Sequence, residues 1–184
     1  MKVIMVDLDG TLFDTRKVNY LAYQEAISTY GYSIDYNYYC SYCNGRHYTD
    51  FLPKITTTEE TVLLDMHRRK KEAYPKYLAE ARLNTPLVDM LRLLKGEYKL
   101  ALVTTASRRN TEDIIGYFKL RVLFDLIITH EDVEKCKPSP ECYLKAMEFY
   151  QAIPGECIIY EDSEVGIEAA IASGANCYVV KGYN

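Results

Sequence analysis

Six polar residues follow short apolar runs in this sequence, and their side chains could together hold a divalent cation and a phosphoryl group. They are Asp7, Asp9, Thr104, Lys137, Glu161 and Asp162. If the apolar runs are strands of one parallel sheet, their carboxyl ends lie at a common edge, where such sheets bind ligands. We therefore expect these six side chains to share one crevice.

The carboxylates indicate a metal site. Acids crowded into one crevice repel each other, and this repulsion raises their pKa values. A hard divalent cation removes the conflict, and carboxylate oxygens suit Mg²⁺. The candidate ligands are the carboxylates of Asp7, Glu161 and Asp162.

The remaining polar groups suit an anion. Lys137 could hold a phosphoryl oxygen through its charge, and the hydroxyl of Thr104, with Thr105 beside it, could hold others. Asp9 lies two residues past Asp7 and is placed to give a proton to a leaving oxygen. Each residue alone is more typical of a solvated turn or a helix cap, but their joint occurrence at successive strand ends favours a shared site.

The pattern of apolar runs predicts the elements that position these groups. Buried strands are predicted over residues 2–6, 99–104, 125–129, 157–160 and 176–180. Helices are predicted between them, beginning at Thr85-Pro86, near residue 108, at Ser139-Pro140 and after Ser163. This alternation is typical of an α/β fold with a doubly wound parallel sheet.

Residues 15–84 interrupt this alternation with a long, mostly helical pattern. A connection of this length is usually a lid or a small domain of its own. We therefore predict a Rossmann-like core formed by residues 1–14 and 85–184, with an α-helical cap domain at 15–84, inserted after the first strand.

Four segments resemble, in order, the four motifs of the haloacid dehalogenase superfamily. Residues 7–15 (DLDGTLFDT) resemble the first motif and residues 101–107 (ALVTTAS) the second. Residues 137–140 (KPSP) resemble the third and residues 158–170 (IIYEDSEVGIEAA) the fourth. The resemblance covers nearly the whole chain, and the acid two residues past Asp7 distinguishes it from the dehalogenases within the superfamily.

The resemblance implies a Mg²⁺-dependent phosphatase of a small phosphorylated metabolite. Asp7 would form an aspartyl-phosphate, and Asp9 would act as general acid and then as general base. Asp7, the Asp9 carbonyl and Asp162 would ligate the metal, with Glu161 acting through a water. The phosphoryl group would be bound by Thr104, Thr105 and Lys137.

The position of the insert resembles the phosphoglycolate phosphatase and β-phosphoglucomutase-like branch, which carries a small α-helical cap. In that branch a cap loop reaches into the site, and residues 44–51 match its place. Arg46 and His47 are therefore candidate substrate contacts, although both residue types are also common in solvated loops.

Three alternatives remain open at this point. A β-phosphoglucomutase-like phosphosugar mutase would use the same residues. A phosphonate hydrolase would need a nucleophilic cap lysine, and none is singled out. A non-catalytic regulatory protein on the same fold would bind Mg²⁺ and phosphate without turnover.

The composition and net charge limit the classes of molecule that this protein is expected to bind. The net charge of -4 and pI near 5.5 argue against nucleic acid. We expect no membrane span and no signal peptide, and therefore a cytoplasmic protein with reduced cysteines.

Cys40 and Cys43 form a C-x-x-C pair, which without a second pair is more typical of two ordinary thiols than of a zinc or redox site. The sequence leaves monomer and homodimer undecided.

Overall fold

The structure, a computed structural model, describes residues 2–182. Two compact units are formed: a core unit from the described parts of Met1–Asp14 and Arg82–Asn184, and an insert unit from Thr15–Ala81. The predicted division placed residues 82–84 in the insert. In the structure they belong to the core unit, because Arg82–Leu83 forms a strand paired with Phe13–Asp14.

Within the described residues, the strands are β1 Val3–Val6, β2 Phe13–Asp14, β3 Arg82–Leu83, β4 Lys99–Val103, β5 Leu126–Ile128, β6 Cys157–Glu161 and β7 Asn176–Val179. The α-helices are α1 Arg16–Ser28, α2 Tyr36–Tyr42, α3 Tyr48–Ile55, α4 Glu60–Ala73, α5 Thr85–Leu94, α6 Arg108–Tyr117, α7 Glu141–Tyr150 and α8 Glu164–Ala172. Short 3-10 helices cover Tyr74–Glu80, Arg121–Leu123, His130–Asp132 and Pro154–Glu156.

The core unit is built on a five-stranded sheet in the order β5-β4-β1-β6-β7, in which every neighbouring pair is parallel. This confirms the predicted α/β fold with a parallel sheet. All four residues of β1 are buried, as a central strand covered on both faces requires. Helices α7 and α8 pack against one face of the sheet, where Tyr143 and Ala169 belong to the same apolar cluster as Met5.

A tight loop after β1 turns the chain back into the β2–β3 ribbon. The backbone N–H groups of Leu12 and Phe13 both donate to the Leu8 carbonyl, at 3.1 and 2.9 Å. Gly10 donates to the Phe13 carbonyl at 2.7 Å and has φ of +93°, a conformation that glycine adopts without strain. The loop thereby holds Asp9 and Thr11 directly beyond the end of β1.

The insert unit is helical, as its apolar pattern predicted. Its core contains Tyr23, Tyr39, Phe51 and Met66, and edge-on ring contacts join Tyr23 and Phe51 at 5.0 Å between centroids. Cys43 is buried in this core, and all six cysteines are free thiols. The unit therefore has an apolar interior of its own.

Within residues 2–182, none of the helices combines the length and the apolar composition that crossing a bilayer requires.

Asn84 provides a test of how the core unit is assembled. Its Oδ1 caps α5 by accepting from the Leu87 N–H at 3.2 Å, and its Nδ2 donates to the Thr11 carbonyl at 3.0 Å. We expect Asn84→Ala to lower the free energy of unfolding by about 2 kcal/mol, since it removes a helix cap and a buried hydrogen bond worth about 1 kcal/mol each. Urea unfolding measures this change.

Asn84→Ser is the matched variant, because serine still caps the helix but does not reach Thr11. It should lose about half as much as alanine. Equal losses in the two variants would show that the cap contributes nothing.

Candidate active site

Lys137 is the centre of the site. Its Nζ donates to Asp7 Oδ1 at 2.7 Å, to Glu161 Oε1 at 2.6 Å and to the Val103 carbonyl at 3.1 Å. An ammonium group has three N–H donors, so all three are engaged. The side chain is 3% exposed, and its hydrogen bonds join the ends of β1, β4 and β6.

Glu161 is fully buried, and donors surround its carboxylate. Oε1 accepts from Lys137 Nζ and from the Tyr143 hydroxyl at 3.0 Å. Oε2 accepts from the Asp162 N–H and from both the N–H and the hydroxyl of Ser163. With this many donors, the carboxylate has little acceptor capacity left for a direct metal bond.

Asp162 faces the loop that follows β1. Its Oδ1 accepts from the Thr11 hydroxyl at 2.9 Å. A Cβ atom added at Gly10 would lie 2.0 Å from Asp162 Oδ2, so only glycine fits beside this carboxylate. The close approach of the two loops places Asp162 next to the segment that contains Asp7 and Asp9.

The two threonines after β4 differ in their surroundings. Thr104 is buried, and its Oγ1 accepts from the Ala106 N–H at 3.0 Å, which leaves the hydroxyl proton able to donate elsewhere. Thr104 directly follows Val103, whose carbonyl binds Lys137. Thr105 is exposed. Thr104 is therefore the neighbour in sequence of a residue that binds Lys137. The roles of Thr104, Thr105 and Lys137 as phosphate ligands stay predictions.

The electrostatics of the acids favour a bound cation. Burial raises the pKa of Asp7 well above its ordinary value, and the charges of Glu161 and Asp9 act in the same direction. Burial also raises the pKa of Asp162, to about 6. Burial opposes the charge on Lys137 as well, but Asp7, Tyr143 and Glu161 together outweigh it, and the pKa of Lys137 lies well above its usual range. One ammonium group thus faces several buried carboxylates.

The donor set fits Mg²⁺. Asp7, Glu161 and Asp162 each offer a carboxylate oxygen, and these oxygens lie within 4.8 Å of one another. Hard oxygen ligands are those that Mg²⁺ prefers, and it usually keeps several waters. Because the hydrogen bonds of Glu161 occupy both its oxygens, Asp7 and Asp162 fit direct ligation better, and Glu161 fits contact through water.

The structure thus brings together four of the six residues that the strand ends indicated, namely Asp7, Lys137, Glu161 and Asp162. Asp9 lies near enough for its charge to act on Asp7 and Asp162, and Thr104 directly follows β4. Arg46 and His47 lie in the insert unit, where both are exposed and His47 precedes α3. His47 Nδ1 lies 2.8 Å from the Thr49 hydroxyl. Their role as substrate contacts stays a prediction, and so do the chemical roles of the core residues.

The comparison with known families decides the relationship. The family model described as haloacid dehalogenase-like hydrolase matches residues 4–180. The chain belongs to this family. The resemblance drawn from the four motifs is therefore confirmed.

Relatives of known name agree with this assignment. Fructose-1-phosphate phosphatase YqaB of Escherichia coli is 28% identical over 181 residues, covering 97% of this chain and 95% of YqaB. A phosphorylated carbohydrates phosphatase of Thermotoga maritima is 28% identical over 180 residues, covering 95% of this chain and 82% of the relative. These findings confirm the predicted enzyme class, a phosphohydrolase of the haloacid dehalogenase superfamily.

The fold has a similar counterpart among solved structures. CbbY from Rhodobacter sphaeroides, in complex with phosphate, superimposes with a TM-score of 0.86 at 26% identity. The match covers 100% of this chain and 87% of CbbY. The similarity therefore extends over both units of the chain.

Two residues of the site were not singled out from the sequence. Thr11 lies within the DLDGT segment and could have been found from its position beside the acids. Tyr143 lies six residues past Lys137 on α7, and an apolar helix face gives no sign that a hydroxyl group is directed at Glu161. Only the packing of α7 on the sheet shows that contact.

Gly166 tests how tightly the site is enclosed. A Cβ atom at this position on α8 would lie 1.9 Å from Glu161 Oε1, so the helix or the carboxylate must move. We expect Gly166→Ala to lower the free energy of unfolding by about 1–3 kcal/mol, the range for overpacking a filled interior. Thermal or urea unfolding measures the change.

Gly116→Ala is the control, because Gly116 also lies in a helix but has open space where the Cβ would be. That variant should be neutral or up to about 1 kcal/mol more stable. If both variants were equally stable, the close contact with Glu161 would be contradicted.

Proposed function

We propose that this chain is a Mg²⁺-dependent phosphatase that hydrolyses a small phosphorylated sugar through an aspartyl-phosphate on Asp7. The observation that carries the proposal is the Lys137 ammonium group, which lies between Asp7 and Glu161 at 2.7 and 2.6 Å. It fixes one oxygen of Asp7 and leaves the other oxygen for chemistry. A buried, oriented carboxylate beside two further acids supports covalent phosphoryl transfer.

The chain's own groups would divide the reaction as follows. Asp7 attacks phosphorus, the bond to the leaving oxygen breaks, and Asp9 donates a proton to that oxygen. Asp9 then accepts a proton from water, which attacks the aspartyl-phosphate and releases phosphate. Mg²⁺ held by Asp7, the Asp9 carbonyl and Asp162 would neutralise charge on the phosphoryl oxygens. Thr104 and Thr105 would orient the phosphoryl group by hydrogen bonds. Lys137, whose three N–H groups bind protein acceptors, would attract the phosphoryl oxygens by its charge unless one of these bonds is exchanged.

The relatives support a sugar phosphate as the substrate. YqaB is named for fructose 1-phosphate and the Thermotoga maritima relative for phosphorylated carbohydrates. In this proposal the insert unit acts as the cap and selects the substrate, with Arg46 and His47 as the first residues to vary. A fold-related mutase would use the same core residues, so substrate tests must separate release from transfer.

A phosphate-release screen tests the proposal. We expect the protein to release phosphate from p-nitrophenyl phosphate and from several sugar phosphates, faster than from nucleotides or phosphoglycolate. Removal of divalent cations with EDTA should lower the rate at least tenfold, and added Mg²⁺ should restore it, because the buried acids need a cation. The measurement is free phosphate against time.

Other results of the screen would indicate a different activity for this protein. Isomerisation of a sugar phosphate without phosphate release would indicate a mutase. Binding of Mg²⁺ and phosphate with no turnover of any ester would indicate a non-catalytic protein. A rate that EDTA leaves unchanged would contradict the proposed metal.

Asp7→Asn tests the covalent step. We expect kcat to fall at least about a thousandfold, because an amide oxygen is a poor nucleophile. The fold should persist, since the amide can still accept a hydrogen bond from Lys137. Phosphate release and circular dichroism measure the two effects.

Asp89→Asn is the control: this acid lies on α5 in an exposed ion pair with Arg92. Its kcat should match that of the wild-type protein. Substantial turnover by a folded Asp7→Asn variant would rule out Asp7 as the nucleophile.

A further inference from the structure

Tyr143 contacts both members of the buried ion pair between Lys137 and Glu161. It is fully buried on α7, and its hydroxyl donates to Glu161 Oε1 at 3.0 Å. The Lys137 Nζ lies 5.1 Å from the centre of the same ring, within the range of a cation–π interaction. One side chain thus binds the carboxylate with its hydroxyl and the ammonium with its ring face.

The Tyr143 hydroxyl affects how the Lys137 ammonium group divides its hydrogen bonds between Glu161 and Asp7. Glu161 Oε1 has two principal acceptor directions, and Tyr143 occupies one while Lys137 occupies the other. Lys137 donates one hydrogen bond to that oxygen, and its other N–H groups serve Asp7 and Val103. Without the hydroxyl, the negative charge of Glu161 Oε1 would be less neutralised, and Glu161 would compete more strongly with Asp7 for the ammonium.

We propose that Tyr143 is a positioning residue, whose hydroxyl keeps the Lys137 ammonium divided between Glu161 and Asp7 and thereby fixes the orientation of the Asp7 carboxylate. This inference rests on the proposed function, because the orientation matters only if Asp7 attacks phosphorus. Tyr143 contacts Glu161 and Lys137 and would act on Asp7 through these two residues.

The chain offers a matched control on the same helix. Tyr150 is also buried on α7, but its hydroxyl has no hydrogen-bond partner among the described residues. Replacing either tyrosine by phenylalanine removes one buried oxygen from α7 and keeps the ring. The two variants differ in whether that oxygen binds Glu161.

The kinetic test compares Tyr143→Phe with Tyr150→Phe in phosphate release from p-nitrophenyl phosphate with Mg²⁺. We expect Tyr143→Phe to lower kcat about tenfold, the factor for losing one hydrogen bond to a charged group, and to change KM less than about twofold. Tyr150→Phe should leave both unchanged. Tyr143→Leu, which also lacks the ring, should be slower than Tyr143→Phe.

A second readout does not depend on turnover. In ¹⁵N NMR spectra of the lysine ammonium groups, a buried, fully bonded Lys137 should give a slowly exchanging signal, assigned by its loss in Lys137→Met. Tyr143→Phe should shift or broaden that signal, and Tyr150→Phe should not. The wild-type spectra should also show a nuclear Overhauser contact between the Lys137 ammonium and the Tyr143 ring.

These results separate the two proposals. If the wild-type protein releases no phosphate, the proposed function is contradicted. The NMR spectra then test by themselves whether Tyr143 positions Lys137. If it does release phosphate, an unchanged kcat in a folded Tyr143→Phe variant overturns the positioning role. An absent Overhauser contact in the wild-type protein overturns it too, even if Tyr143→Phe does not fold.

Discussion

The core unit depends on one buried ammonium group that neutralises acids from two strands. Burial of a carboxylate without a partner is costly, and Asp7 and Glu161 lie at the ends of adjacent parallel strands. Lys137 Nζ satisfies both, and its bond to the Val103 carbonyl ties the third strand end to them. Because the three acceptors come from distant parts of the chain, the ion pair and the tertiary fold form together.

This arrangement limits what the surrounding backbone can contain. Side chains are excluded where the loop after β1 passes Asp162 and where α8 passes Glu161, and glycine occupies both positions, 10 and 166. The same closeness gives Glu161 its backbone donors at Asp162 and Ser163. Tight backbone contact therefore accompanies both carboxylates at this strand end, and saturated hydrogen bonding accompanies Glu161.

The sequence predicted the sheet and the grouping of polar residues because both follow from local patterns. Fully apolar runs indicate strands covered on both faces, and parallel strands bring the residues after them to one edge. Strand β1 and the residues Asp7 and Asp9 follow this rule directly. The β2–β3 ribbon was not predicted, since a pairing of two residues with two others leaves no periodic signal.

The side-chain partners were less accessible from the sequence than the site itself. A lysine in a KPSP segment is compatible with a phosphate ligand, but the structure shows all three of its N–H groups bound to protein acceptors. The contact of Tyr143 with Glu161 depends on how α7 rotates against the sheet, and this rotation is set by the whole apolar cluster. Such partners follow from packing, which pairwise sequence spacing does not encode.

The same physical logic explains how a site at a strand end can coexist with a long insertion directly after it. Asp14 and Arg82, the residues at either side of the insert, face each other in the β2–β3 pairing. Next to them, the Asn84 N–H donates to the Leu12 carbonyl at 2.9 Å and its side chain binds the Thr11 carbonyl. The segments directly before and after the insert are thus joined to each other within the core unit. Contacts within the core unit therefore hold the loop that carries Asp9 and Thr11.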